Sequence, residues 1–529
     1  MQQAKYYITT FLLAIAFTIN AQLPTGPEIA WQRCYGEENT QRFSDAILLN
    51  SGKIISIIVT DTALVMKFNS EMEIEWQKIY SDTGCERSPE FVHGLTNGHL
   101  IFFGYAGIGC PDFHGNTDFY LMETDADGNL LWEKCYGSPG FEEIEGFIAT
   151  SDKGFLIQGR SRSVGGDIPF HYGDGFTTDA VIIKTDSTGT IEWVKILGGT
   201  NNDSPLGNPL EVSPGIYQVH IGGYSDDFDF PPLEGSKRWI IEMDNTGEII
   251  KENWIIGDND ILGYSGELIK YGTNKTMFVS GGNTESTNFP APEGHAMTDG
   301  AISIFNSDLQ LIDMRLFGGS DHEVLKRVTK DGWGNYYLLG ISKSSDYDLP
   351  ANYGSFDYWI MMVDSNLNLQ WSKNLGGSNS YGDGSNTPFR AALVYNNNYL
   401  YAFLASRING SLPDFDIECS YDNSSDSDND VWLVTFDITT TNTEEPEDIH
   451  TINIYPNPSE NYFNIEFSDV IAGDLNIEIY NITGQLIYTK SSNYNKIISI
   501  STKGLNSGFC TIVIRNENSI ILSIQHIVL

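Results

Sequence analysis

The residues best suited to chemistry are few and widely scattered. Asp422, Asp426, Asp428 and Asp430 stand in one acidic stretch. Closely spaced carboxylates relieve their repulsion by sharing a divalent cation, so calcium is the cofactor they could hold. The stretch lacks the full spacing of a calcium loop, and a solvated acidic loop is the simpler explanation. His322-Glu323 is followed by Val324, Leu325 and Lys326, not by a second histidine at zinc spacing. Neither G-x-S-x-G nor a phosphate-binding loop occurs. No residue is assigned a catalytic role, and the chain is read as a non-enzyme. The residues that suit binding are His114, His171, Tyr172, Asp227, His295, Tyr353 and Tyr421, which place mixed aromatic and polar surface in long loops and follow no evident repeat rule.

A chain of 529 residues exceeds one ordinary core, and 52 glycines with 12% aromatics favour an all-β protein rich in turns. A net charge of −40 repels nucleic acid and anionic lipid. Residues 1–21 read as a secretory signal, with Lys5, an apolar run from Phe11 to Phe17 and Ala21 before the cut. That run is too short to span a bilayer, and no other segment resembles a membrane helix. The six cysteines show no zinc or thioredoxin spacing. Export permits disulfides, and Cys85 and Cys110 fall in two loops of one repeat where they could pair.

A phrase recurs along the chain: Trp31 to Gly36, Trp76 to Ser81, Trp132 to Gly137, Trp193 to Gly198 and Trp371 to Gly376, with weaker copies in which Glu252 and Asp313 replace the tryptophan. Each unit adds strand-length runs such as Phe155-Leu-Ile-Gln-Gly159 and Asp179 to Asp186, joined by Asp-x-x-Gly hairpin turns. Four strands at this period describe propeller blades. The chain opens on a tryptophan strand with no partner and its last unit ends at Asp430 to Asp437 with none either, so residues 29–35 should pair with residues 430–437 and close a seven-bladed ring. The tryptophans, at one fixed repeat position, read as packing between blades. Loops near 105–117, 160–178, 224–236, 283–298, 341–356 and 406–429 fall on one side, opposite a face of tight turns. Each carries an X-Pro step: Cys110-Pro111, Ile168-Pro169, Phe230-Pro231, Phe289-Pro290, Leu349-Pro350 and Leu412-Pro413. The residue before each proline reads as an anchor against a neighbouring blade.

The repeat resembles the glycine-rich propeller repeats of proteins exported by type IX secretion, over residues 29–437. After an acidic linker, residues 438–450, the pattern changes. Ile454-Tyr455-Pro456-Asn457-Pro458, a run reaching Gly484 and another ending at Gly508 resemble a type A sorting domain of that system, over residues 451–529. The resemblance implies a small β-sandwich read by the type IX secretion machinery. The expected whole is a seven-bladed β-propeller, residues 22–437, followed by the sorting domain, secreted or attached to the outer cell surface. It acts as a binding or adhesion protein, with a glycan or a surface protein as ligand. A secreted polysaccharide hydrolase or lyase, and a structural spacer, are the alternatives.

Overall fold

The computed structural model describes residues 26–35, 42–59, 63–80, 84–232, 235–257, 266–283, 298–354, 356–377, 391–406, 414–419, 430–439, 452–455, 461–467, 475–481, 486–492, 497–503, 508–516 and 519–528. The chain divides into two compact units, Met1–Thr439 and Thr440–Leu529. The expected 1–21 leader and nearly all of the expected 438–450 linker lie outside the described residues.

The first unit is a seven-bladed β-propeller. Six antiparallel sheets follow in chain order, blades 1 to 6 (residues 42–79, 87–136, 142–197, 203–257, 267–317 and 323–375). The seventh combines strands Ala392–Asn396, Tyr399–Ser406 and Asp430–Asp437 with Ile29–Tyr35 from the chain's beginning. The closing pair is antiparallel, with Gln32 opposite Val434 and Cys34 opposite Trp432. Gln32 reinforces it. Its Nε2 donates to the Asp416 carbonyl (3.1 Å), and its Oε1 accepts from Trp432 Nε1 (2.7 Å) and Glu418 N (3.2 Å). A disulfide, Cys34–Cys419, ties the same strand to the last loop. Cys85–Cys110 is also bonded, within blade 2, as its loop placement suggested.

Third strands such as Asp118–Thr124, Asp179–Thr185 and Asp357–Val363 are buried along their whole length. Their continuous apolar runs follow from a neighbouring blade on each side. The tryptophan strands lie outermost, and their rings pack across the seams as expected. A rule emerges there. Trp76, Trp132 and Trp193 press on Gly128, Gly189 and Gly247, the last residues of the next blade's hairpin turns, where a Cβ would come within about 3 Å of the indole. Each of these glycines has positive φ, 73°, 77° and 82°. Where Glu252 and Asp313 replace the tryptophan, the following turn carries Leu309 or Leu367 instead, still at positive φ and fully buried. Large and small residues thus trade places across the seam to keep it filled. Trp371 has no turn to meet in the open-ended seventh blade, and Gly26 takes that place. Trp31, which shares an apolar cluster with Met72, the positive-φ residue of blade 1's turn, departs from the rule.

The second unit packs a three-stranded sheet (Ile452–Tyr455, Tyr462–Phe467, Ile497–Ser501) and a four-stranded sheet (Leu486–Ser492, Leu475–Asn481, Gly508–Asn516, Ser519–Val528). Alternate residues Phe463 and Ile465, Ile477 and Ile479, Ile498 and Ile500, and Ile512 and Ile514 are buried, the period-two pattern of a small sandwich core.

Candidate functional site

Each blade's first strand enters from the long-loop face, where the connections between second and third strands also lie. Four of these loops share one construction. Asp167, Asp229, Asp348 and Asp416 each accept the backbone N–H of a glycine that ends a tryptophan-type strand, Gly137, Gly198, Gly318 and Gly376, at 3.0–3.3 Å. The next residue, Ile168, Phe230, Leu349 or Ile417, is buried as an anchor. In blade 7 Ile417 holds this anchor position; Leu412 and Pro413 lie outside the described residues. Immediately before the aspartate the backbone turns left-handed, at φ 57° for Gly166, 51° for Phe228, 51° for Tyr347 and 52° for Phe415.

The aromatic side chains at these positions are largely in solvent, 66% for Phe228, 64% for Tyr347 and 59% for Phe415. Phe228 rests on Tyr172 of the preceding blade, ring centroids 4.8 Å apart, and Tyr172 touches Phe170 at 5.2 Å. Phe415 stacks on Tyr353 of the preceding blade, also at 4.8 Å. Two aromatic pairs thus bridge blades 3–4 and blades 6–7 on one face.

Three of the loop residues singled out by sequence share a repeat rule, which corrects that expectation for them. His114, Tyr172 and Tyr353 donate their backbone N–H to Asp118, Asp179 and Asp357, the buried first residues of third strands, at 2.8, 2.7 and 2.6 Å. The rule was hidden because the intervening loop lengths differ. His114 adds an Nδ1 contact to Asp118 at 3.0 Å and an Nε2 contact to Asp167 at 3.8 Å. His171 is nearly buried, its Nε2 3.0 Å from the Thr177 carbonyl and 3.6 Å from Asp179. Asp227 is a brace that accepts the N–H and hydroxyl of Thr200 at 2.8 and 2.9 Å. Asp346 accepts the N–H of Ser320 in the same way, at 2.8 Å. His295, Tyr421, Asp422, Asp426 and Asp428 lie outside the described residues. Asp430 begins the closing strand opposite Ser406. No metal-holding group of carboxylates, histidines or cysteines occurs among the described residues.

Burial raises the carboxylates beneath these loops: Asp179 and Asp357 to about 6, and Asp203 to about 7. Asp118 and Glu142 rise for the same reason. The Tyr172 hydroxyl is pushed up to about 12 by burial and by Asp229.

A second group of charges surrounds the propeller axis and was not anticipated. The first strands of blades 1, 2, 3 and 6 each carry a β-bulge near the long-loop end, with Ser44, Glu90, Glu145 and Lys326 as the extra residues. Bulges re-aim side chains. Glu145 and Lys326 influence one another electrostatically from blades 3 and 6, and Asp45 of blade 1 influences Glu267 of blade 5. Burial pushes Glu145 up to about 7 and Lys326 down to about 8, although both remain partly accessible to solvent. The irregular spacing of the first strands is the signal that could have located this cluster.

The fold and this face define a seven-bladed propeller with one loop-bearing side, carried ahead of a separate sandwich. Residues 453–528 match the secretion system C-terminal sorting domain. The second unit is that sorting domain, containing Tyr455 in its first strand and Gly508 in a later one; Pro456, Asn457, Pro458 and Gly484 lie outside the described residues. The protein is exported by type IX secretion, engages that machinery, and is secreted or attached to the outer cell surface. No curated protein matches the chain. Solved structures with similar folds include the phage phi92 endosialidase (10% identity, 92% of this chain and 85% of that one, TM-score 0.38). A fungal alcohol oxidase of the AA5 family in complex with copper is also similar (8% identity, 95% and 99% covered, TM-score 0.42). So is a protein of unknown function from Bacteroides caccae (12% identity, 64% and 94% covered, TM-score 0.34). Similarity this distant carries no chemical argument. Among the described residues no helix is long and apolar enough to cross a membrane.

Proposed function

We propose that this is an extracellular binding or adhesion protein whose ligand, a glycan or a surface protein, docks on the long-loop face. The observation that carries this reading is the pair of interblade aromatic stacks, Tyr172–Phe228 and Tyr353–Phe415, whose outer rings stay exposed on a rigid scaffold. Binding surfaces concentrate on loops held by such scaffolds, and exposed aromatic rings supply contact energy in few residues. Delivery begins with the 1–21 leader and ends with the sorting domain. The test is a screen of the exported protein against glycan and surface-protein arrays, with and without calcium, since Asp422, Asp426, Asp428 and Asp430 would be its ligands. Tyr172→Ala with Tyr353→Ala should weaken any ligand found by at least roughly tenfold. Unchanged affinity, with loss only from tight-turn variants such as Trp333→Ala, would move the site to the other face.

The hub supports a second reading, a secreted hydrolase or lyase. Glu145 and Lys326 change charge near neutral pH from opposite sides of the axis, a pairing suited to general acid–base work. Polysaccharide cleavage abolished by Glu145→Gln would select it.

A further inference from the structure

The exposed rings of the long-loop face sit in a repeated frame: Asp227-Phe228-Asp229, Asp346-Tyr347-Asp348 and Asp414-Phe415-Asp416, on blades 4, 6 and 7. We propose that these three Asp-aromatic-Asp tips are recognition points for cationic side chains, so that the ligand is an arginine- or lysine-rich polypeptide segment spanning several blades. The inference deepens the binding reading above and rests on it.

The aromatic residue is not needed to build the loop. Gly166 fills the same position in blade 3, with the same aspartate bond to the strand-end glycine at 3.2 Å and the same left-handed backbone. Glycine adopts that conformation freely, whereas a bulky residue there is strained. Burial does not offset the strain, because all three rings remain mostly in solvent. Tyr172 and Tyr353 support two of them from one side and leave the other face open.

Charge decides the ligand class. An aromatic face attracts cations through its quadrupole, and each ring here lies between two aspartates. Beneath the two stacks, Asp179 and Asp357 are fully buried, and each has one oxygen, Oδ1, without a hydrogen-bond partner. The chain as a whole carries −40. Polyanions are repelled from such a surface, and a neutral sugar, although its hydroxyls can donate to carboxylates, lacks the charge attraction that a cationic side chain gains from ring and carboxylates together. Tips on three blades also allow one flexible basic segment to engage several at once, which multiplies weak contacts.

The test titrates the full chain with a nona-arginine peptide, with polyglutamate and a neutral glucan hexamer as controls. The triple variant Phe228→Gly, Tyr347→Gly, Phe415→Gly copies the blade 3 loop and should melt at or above the wild-type temperature. Its affinity for the arginine peptide should fall roughly 10- to 100-fold, as three exposed cation–π contacts imply. If the glycine variant fails to fold, Phe228→Leu with Phe415→Leu keeps the apolar bulk, removes the rings, and should also lose affinity. Equal binding by wild type and a folded ring-deleted variant would overturn the proposal, since bulk charge alone would then explain the binding. Ring-dependent binding of the glucan without the peptide would overturn the cationic ligand while sparing the binding face. Loss only in Trp333→Ala would overturn both.

Discussion

The two faces of the propeller use aspartate in opposite ways. On the tight-turn face, Asp125, Asp186 and Asp244 each open a hairpin turn and accept N–H groups two and four residues ahead, at 2.8–3.1 Å. They are exposed, and hydrogen bonds hold their carboxyls below the usual range, chiefly from the Thr188 hydroxyl for Asp186, from the Thr246 hydroxyl for Asp244 and from the Asn129 N–H for Asp125. On the long-loop face, Asp118, Asp179, Asp203 and Asp357 are buried, and desolvation raises them. Several of their bonds reach loops rather than adjacent turn residues: Asp179 takes the N–H of Tyr172, and Asp203 takes that of Gly199 and the hydroxyl of Ser225. On one face the aspartate thus bonds within its own turn. The other is held together by buried carboxylates, and it displays the variable side chains.

Removing ring closure should have the largest effect, because it damages both faces. Deleting residues 22–35 leaves Asp430–Asp437 as an unpaired edge, removes the Gln32 bonds, and breaks the Cys34–Cys419 link. The loss should include up to about 5 kcal/mol from the disulfide alone, which spans 385 residues. The expected outcome is aggregation or a large fall in melting temperature. A soluble deletion protein of unchanged heat stability would show that the ring closes without that strand.

A smaller effect separates the faces by pH. The buried carboxylates have folded pKa values above their unfolded values near 4, so their contribution is fully present below about pH 4 and is lost as pH rises through 6 to 7. The turn aspartates, shifted the other way, contribute above about pH 4 and lose that contribution as pH falls below it. Melting temperature should therefore rise as pH drops from 8 to 5 and fall again below 4. Asp203→Asn, which removes one buried charge, should flatten the first limb, and Asp186→Asn should leave that limb unchanged. The reverse assignment of limbs to variants would break the comparison.

Much of this architecture was legible in the sequence because it is periodic. The tryptophan phrase, the Asp-x-x-Gly turns and the unpaired first and last strands specify seven blades and their closure. Phe463, Ile465, Ile477 and Ile479 specify the sandwich through simple alternation. The site was harder to read. His114, Tyr172 and Tyr353 hold one equivalent position, but they stand four, seven and four residues before their aspartates, and the unequal spacing masked the equivalence. Phe228, Tyr347 and Phe415 were passed over because their left-handed backbone, and hence their exposure, depends on the following aspartate reaching a glycine some 30 to 40 residues earlier. Glu145 and Lys326 influence one another although they stand on first strands of distant blades, each as the extra residue of a bulge. The Cys34–Cys419 pair likewise joins chain positions that only closure brings together.

Hydrogen–deuterium exchange of the exported protein, free and with a ligand from the array screen, tests the central claim most directly. Protection should appear in segments 224–230, 344–350 and 414–417, around Phe228, Tyr347 and Phe415, and leave the turns at 94–99, 150–154 and 331–335 unchanged. Protection confined to those turns would contradict the account.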